Sequence, residues 1–255
     1  MTGIELKMFR VLFHSSVVVL LTILTQIGGL AWAISLLFRR QLSSFLLVYV
    51  VLTTATIWIA PLFGRAALSC FDEGPLQLQS WTYCALNRNY VSPELKDVLV
   101  QTAEEMNRRF PETETLVLDA NFPFFDGFPL LPHLSHDDGD KVDLAFYYQD
   151  GSGYLLGATR SPFGYFAFED GPTECTRRWP TLRWDLGILQ PLWRDYELDR
   201  ERNKAVLQIL TSDHQIGKIF VEPHLVRTLR TAHPNIRFQG CRAARHDDHI
   251  HLQLR

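Results

Sequence analysis

The chain has 255 residues, with 25 basic and 28 acidic side chains and a net charge of −3. That length fits one domain of moderate size with an extension. It has no basic run and no interleaving of aromatic with basic residues, which argues against nucleic-acid binding, and no repeat or low-complexity tract is visible.

Residues 1–68 read as a membrane anchor. A short lead, Met1–Arg10, carries Lys7 and Arg10. Val17–Phe38 and Phe45–Phe63 are then almost wholly apolar, each near the roughly 20 residues that a bilayer-spanning helix needs. Only Arg39-Arg40-Gln41-Leu42-Ser43-Ser44 separates them, so the expectation is a transmembrane helical hairpin. Gly28-Gly29 and Thr53-Thr54-Ala55 suit close helix contact. A signal peptide and a buried core hairpin are the alternatives. The missing small-residue cleavage site and the immediate second segment weigh against a signal peptide.

Residues 69–91, with Gly74-Pro75 and little periodicity, read as linker and lead-in to a domain at 92–255. Ser92-Pro93-Glu94 opens a helix, with Ser92 as N-cap and Pro93 at the first position. Its apolar face is Leu95, Val98, Leu99 and Met106, at helical spacing. Leu116–Leu118 is a short strand. Asn121–Pro132, dense in Phe, Pro and Gly, is read either as an apolar wall beside a cleft or as a rigid core loop. Tyr147–Asp195, with Trp179, Trp184 and Trp193, reads as an irregular insertion. Arg160 and Tyr165 lie within it, and no spacing assigns them a role. Asp199–Leu210 reads as a helix, Ile219–Val221 as a strand and Pro223–Thr231 as a helix. The fold class expected is α+β, the anchor being followed by a small antiparallel-sheet domain with flanking helices.

Five of the nine histidines fall in two short runs, His133-Leu-Ser-His136 and His246-Asp-Asp-His249-Ile-His251. The first run leads to Asp143 through Gly139. His249–Leu254 alternates polar and apolar, as a half-buried strand does, which puts His249 and His251 on one face. Val142–Tyr147 reads the same way, with Asp143 opposite Val142 and Leu144. Two neighbouring strands of one sheet therefore present His136, Asp143, His249 and His251 to one metal ion. Imidazole nitrogens with one carboxylate suit Zn²⁺. Asp137, Asp138, Asp247 and Asp248 are candidates to fix a histidine tautomer or are solvated loop charges. Asp137–Asp140 does not match the EF-hand spacing for calcium.

These residues carry a family resemblance. H-x6-D followed by H-x-H resembles the LAS-type zinc metallopeptidases. H-x-S-H-x-x-G-x-x-x-D with a terminal H-x-x-H-x-H is most similar to the penicillin-insensitive murein endopeptidases. The resemblance covers His133–Asp143 and, more loosely, Gly217–Leu254. It implies zinc held by His136, Asp143 and His251, with His249 as catalytic histidine. His246 takes the place near the second motif where related branches use a glutamate, and His133 stands beside the ligands. Lys141 departs from the family, which usually has an acidic residue there. The implied activity is amide hydrolysis in peptidoglycan crosslinking peptides, and the alternative is a non-catalytic zinc-stabilised binding domain of the hedgehog-like type.

Cys70, Cys84, Cys175 and Cys241 all follow the second apolar segment and form no C-x-x-C pair. They suit two disulfides in an oxidising compartment, with the pairing open. For a short hairpin, this places Met1–Arg10 and Gly64–Arg255 together on the periplasmic side of an inner membrane and Arg39-Arg40 inside. The loop charges conflict, because Lys7 and Arg10 then lie opposite Arg39 and Arg40.

Overall fold

The computed structural model describes residues 3–176, 181–184 and 186–255; Trp179 of the expected insertion lies outside them, as do Met1 and Thr2. The helices are α1 (Gly3–Thr25), α2 (Gly28–Ser35), α3 (Gln41–Ile59), α4 (Trp81–Ala85), α5 (Pro93–Arg109), α6 (Arg200–Ser212) and α7 (Pro223–Leu229). The strands are β1 (Ala66–Ala67), β2 (Leu76–Leu78), β3 (Tyr90–Val91), β4 (Thr115–Val117), β5 (Lys141–Ala145), β6 (Tyr148–Asp150), β7 (Gly153–Tyr154), β8 (Glu197–Leu198), β9 (Ile216–Phe220), β10 (Ile236–Arg237) and β11 (His249–Leu254).

Among the described residues, two helices are long and apolar enough to cross a membrane, Ile4–Thr25 and Gln41–Phe63. The first does not follow the expected Val17–Phe38 bounds. That stretch breaks at Gln26, which has φ 65°, and restarts as α2. The Thr25 hydroxyl accepts the Gly28 N–H at 2.8 Å, giving the first amide of α2 a partner, and the Gln26 side-chain oxygen accepts the Phe124 N–H at 3.0 Å. Hydropathy cannot register such a break, because both of its sides are apolar. The segment is thus three helical pieces rather than a two-helix hairpin.

The lead-in is also more ordered than expected. β1 pairs with β3, and β2 pairs with β4 as an edge of the main sheet. Residues 69–91 thus contribute β2, α4 and β3 to the fold. Cys70 is bonded to Cys84 and Cys175 to Cys241, which decides the open pairing.

The main sheet has the order β10-β9-β11-β5-β4-β2. Its four central strands are antiparallel, whereas the edge strands β10 and β2 run parallel to their neighbours. The sheet is mixed rather than purely antiparallel. One face carries Val142, Leu144, Ile250 and Leu252, packed with Leu95, Leu99 and Met106 of α5 and Val206, Leu207 and Leu210 of α6. Truncating one of these to Ala costs about 2–5 kcal/mol. α5 starts where the sequence places it, with the Ser92 hydroxyl accepting the Leu95 N–H; Asp199 caps α6 by accepting the Arg202 N–H. With both helices behind the sheet, the polar face of β5 and β11 is left to the site.

Candidate metal centre

Asp143 and His251 are cross-strand partners in the β5–β11 ladder, one strand step from His249, which pairs with Ala145. Side chains at paired positions lie about 4.5–5.5 Å apart at Cβ, so the sheet itself brings carboxylate and imidazole together. His136 comes from the loop before β5. That loop turns at Gly139, φ 89°, where a Cβ would come within 2.6 Å of the Arg65 guanidinium. The loop also rests on Asn121, whose side-chain oxygen accepts the Gly139 N–H and whose amide donates to the Lys141 carbonyl.

Three ligand-type atoms converge. His136 Nε2 lies 3.1 Å from His251 Nδ1, His251 Nδ1 lies 2.8 Å from Asp143 Oδ1, and His136 Nε2 lies 3.3 Å from Asp143 Oδ1. All three residues are buried. Metal–ligand bonds of about 2.0–2.2 Å in a tetrahedron give ligand–ligand edges of roughly 3.3–3.6 Å, close to these separations. The His136 tautomer fits as well. His136 Nδ1–H donates to the Ala120 carbonyl at 2.9 Å, which leaves Nε2 as the free lone pair. Offering Nδ1 to a metal puts the His251 proton on Nε2, 3.3 Å from the Gln253 side-chain amide, whose oxygen and not its N–H would have to face it. The group His136–Asp143–His251 is suited to hold a metal ion.

The other expected residues surround this triangle. His249 Nε2 lies 3.7 Å from Asp143 Oδ1, and its Nδ1 bonds Asp248 Oδ1 at 2.5 Å. Asp248 is therefore the tautomer-fixing carboxylate among the four candidates. Asp137 and Asp138 pair with Lys141, and Asp247 pairs with Arg245. His246 is buried with its ring 4.9 Å from that of His249. His133 Nδ1–H donates to Asp119 at 2.8 Å and stands 3.6 Å from Asp143 Oδ2.

Sequence reasoning missed three members. Tyr165 donates its hydroxyl proton to Asp143 Oδ2 at 2.7 Å and accepts the Asp119 N–H at 3.0 Å. Asp119, just after β4, binds the Arg88 guanidinium through both oxygens, and Arg88 also donates to the Leu131 carbonyl. No spacing betrays Tyr165 or Arg88. Asp119 had a faint signal, as the polar residue ending an apolar strand. Arg160, the other residue left without a role, pairs with Glu169.

Charge in the cluster is strongly coupled. Burial opposes ionisation of Asp143, but His136 and His249 outweigh it and hold its carboxyl well below the usual range. Burial pulls His249 down, yet Asp143 and Asp248 lift it to about 9. For His251 burial wins over the Asp143 bond, giving about 4. Burial, helped by the neighbouring His249, keeps His246 neutral, well below the ordinary value. A cation among the ligands would offset Asp143 and bring His249 back toward neutrality.

A small cleft of about 60 Å³ opens beside His249, between Pro132, His133, Tyr165 and Trp184. It shares Phe168, Trp184 and Arg245 with a larger hollow of about 690 Å³ that also includes Glu169, Asp170 and Arg183. The site thus has an open side. No protein-family model matches the chain, and no curated protein matches it. The class defined by fold and site is a mixed α+β domain with a buried His–Asp–His group, preceded by apolar helices.

Proposed function

We propose that the protein is a membrane-anchored zinc metallopeptidase of LAS type. It hydrolyses an amide bond, with peptidoglycan crosslinking peptides as substrate and the domain on the periplasmic face of the inner membrane. The observation that carries the reading is the convergence of His136 Nε2, Asp143 Oδ1 and His251 Nδ1 to mutual distances of 2.8–3.3 Å beside His249. The apolar helices support an anchor, and the two disulfides fit an oxidising space.

Zinc held by the three ligands would polarise the scissile carbonyl and acidify a water molecule. The chain's own residues do the rest. Asp248 fixes His249 with Nε2 toward the ligands, where that nitrogen can take a proton from the water or give one to the leaving amine. His246, kept neutral by burial, stands beside His249 without adding positive charge. Tyr165 holds Asp143 from its other oxygen, and His133, bonded to Asp119, stands beside it. The small cleft between Pro132 and Trp184 gives access to His249, and the adjoining hollow of about 690 Å³ has room for a peptide.

One distance favours a second reading. At 3.7 Å from Asp143 Oδ1, His249 Nε2 is near enough to close the coordination shell, as in a zinc-stabilised binding domain. The decisive experiment measures zinc content of the full-length protein in detergent and hydrolysis of peptidoglycan with and without a chelator. His251→Ala and Asp143→Ala should lose zinc, whereas His249→Ala keeps zinc and loses turnover. Loss of zinc in His249→Ala would make it a ligand and favour the binding domain.

A further inference from the structure

We propose that Arg65 is a positioning residue of the metal centre. It pins the neck of the loop that carries His133 and His136, and through it the apolar segment that precedes Arg65 becomes a structural part of the site. This rests on the metal reading of His136–Asp143–His251 and on no particular path through a membrane. The loop has a neck because it closes on itself, the Gly127 N–H donating to the Asp137 carbonyl at 2.8 Å. Arg65 sits against both sides of that closure. Its guanidinium donates to the Asp126 carboxylate, just before the loop. It also lies against the backbone of Gly139, just after the loop, where a Cβ would come within 2.6–2.8 Å of Nη1, Cζ and Nε. The Arg65 side chain is 5 % exposed and that of Asp126 is 75 % exposed. A buried cation needs its partner, so the pair fixes the start of the loop while the flat guanidinium face fixes its end.

Arg65 is itself held from two directions. Behind it, α3 runs on into a 3₁₀ turn, Ala60–Phe63, that ends at Gly64 in the left-handed conformation, φ 69°. The Arg65 N–H donates to the Ala60 carbonyl at 3.1 Å. Ahead of it, β1 pairs with β3, and Lys96 of α5 donates to the Ala67 carbonyl at 2.9 Å. The same end of the apolar segment reaches the approach to the loop through other contacts. The Phe63 ring stands edge-on to Phe124 at 5.0 Å and to Phe125 at 5.7 Å, and Gln26 accepts the Phe124 N–H. A second route leads through residues 85–90. Ala85 and Asn87 bond Tyr49 and Thr25, and Tyr90 bonds Thr56. Between them, Arg88 donates to the Leu131 carbonyl within the loop and to Asp119, the partner of His133. Asp143 and His251 stand on paired strands of the sheet and need none of this. His136 is thus the candidate ligand whose place depends on the apolar segment. Zinc–ligand bonds keep within about 0.2 Å of their usual length, so a loosened neck lowers metal affinity without unfolding the sheet.

The experiment uses the full-length chain in detergent with Arg65→Ala, Arg65→Lys and Asp126→Ala. Zinc affinity is measured by competition with a chromophoric chelator, ligand geometry by the visible absorption of the cobalt-substituted protein, and loop mobility by hydrogen exchange without metal. Arg65→Ala should weaken zinc binding about tenfold or more and alter the cobalt spectrum. It should also speed exchange in residues 127–139 while α5 and α6 keep their protection. Arg65→Lys keeps a charge for Asp126 but has no flat face to set against Gly139, and should fall between parent and alanine variant. Asp126→Ala removes an exposed carboxylate and leaves the core intact; it should show the same loss in weaker form, and it carries the test if Arg65→Ala does not fold. Parental zinc affinity and cobalt spectrum in every variant that folds would overturn the proposal. Faster exchange spread evenly over the loop, α5 and α6 would also overturn it, by making Arg65 a stabiliser of the whole fold. A parent that binds no zinc would overturn the metal reading and this proposal with it, whereas equal binding by parent and variants overturns this proposal alone.

Discussion

Tyr165→Phe tests whether the residues behind the metal ligands hold them in place. The hydroxyl is buried against two carboxylate residues, donating to Asp143 Oδ2 at 2.7 Å and accepting the Asp119 N–H at 3.0 Å. Burial and the neighbouring Asp143 push its pKa well above the usual phenol range, so it remains a proton donor at any working pH. Removing it deletes a bond to a charged acceptor, worth about 1.5–3 kcal/mol. It also strands a buried N–H, at a further cost of about 1–3 kcal/mol. Asp143 keeps its alignment to His251 only through Oδ1, and loss of such a supporting bond typically lowers metal affinity about 10–100-fold. Zinc affinity is measured by competition with a chromophoric chelator, and stability by urea unfolding of the metal-free protein. The expectation is weaker zinc binding and a lower unfolding midpoint. Zinc affinity within about twofold of the parent, with an unchanged midpoint, would refute the reasoning that Tyr165 positions Asp143.

The metal-free protein should be most stable near pH 6.5, losing stability in both directions. His251 is depressed to about 4, so below pH 6.5 the unfolded chain binds a proton that the fold refuses, and stability falls toward pH 4. His249 is raised to about 9, so the stability it contributes is present below pH 6.5 and is lost as pH rises through 9. Thermal unfolding across pH 4–9, with zinc absent, reads both limbs; a flat profile would contradict them. Gly139→Ala should destabilise the domain, since φ 89° is strained for alanine, at about 1–3 kcal/mol, and the new methyl must displace the Arg65 guanidinium. Chemical denaturation and zinc release rate together check this, the release being faster because the turn carries His136 toward its partners.

The sequence by itself determined the elements whose signals are local. Ser92-Pro93 and Asp199 set helix starts through their caps. The alternation in His249–Leu254 and Val142–Ala145 set two strands with histidine and aspartate on one face. Period-2 geometry made Asp143, His249 and His251 legible as neighbours, whereas the selection of His136, Asp143 and His251 as the ligand set came from the family resemblance of the two histidine motifs. Tertiary structure decided what no local pattern encodes. The break at Gln26 is stabilised by Thr25 from within and by Phe124 from nearly a hundred residues away, and hydropathy is the same on both sides of it. β2 joins the sheet only because β4 is there to pair with it. Tyr165, Asp119 and Arg88 reach the site through buried polar bonds between distant loops. Such bonds depend on where the chain returns in space, since a desolvated carboxylate takes whichever donor the fold delivers to it.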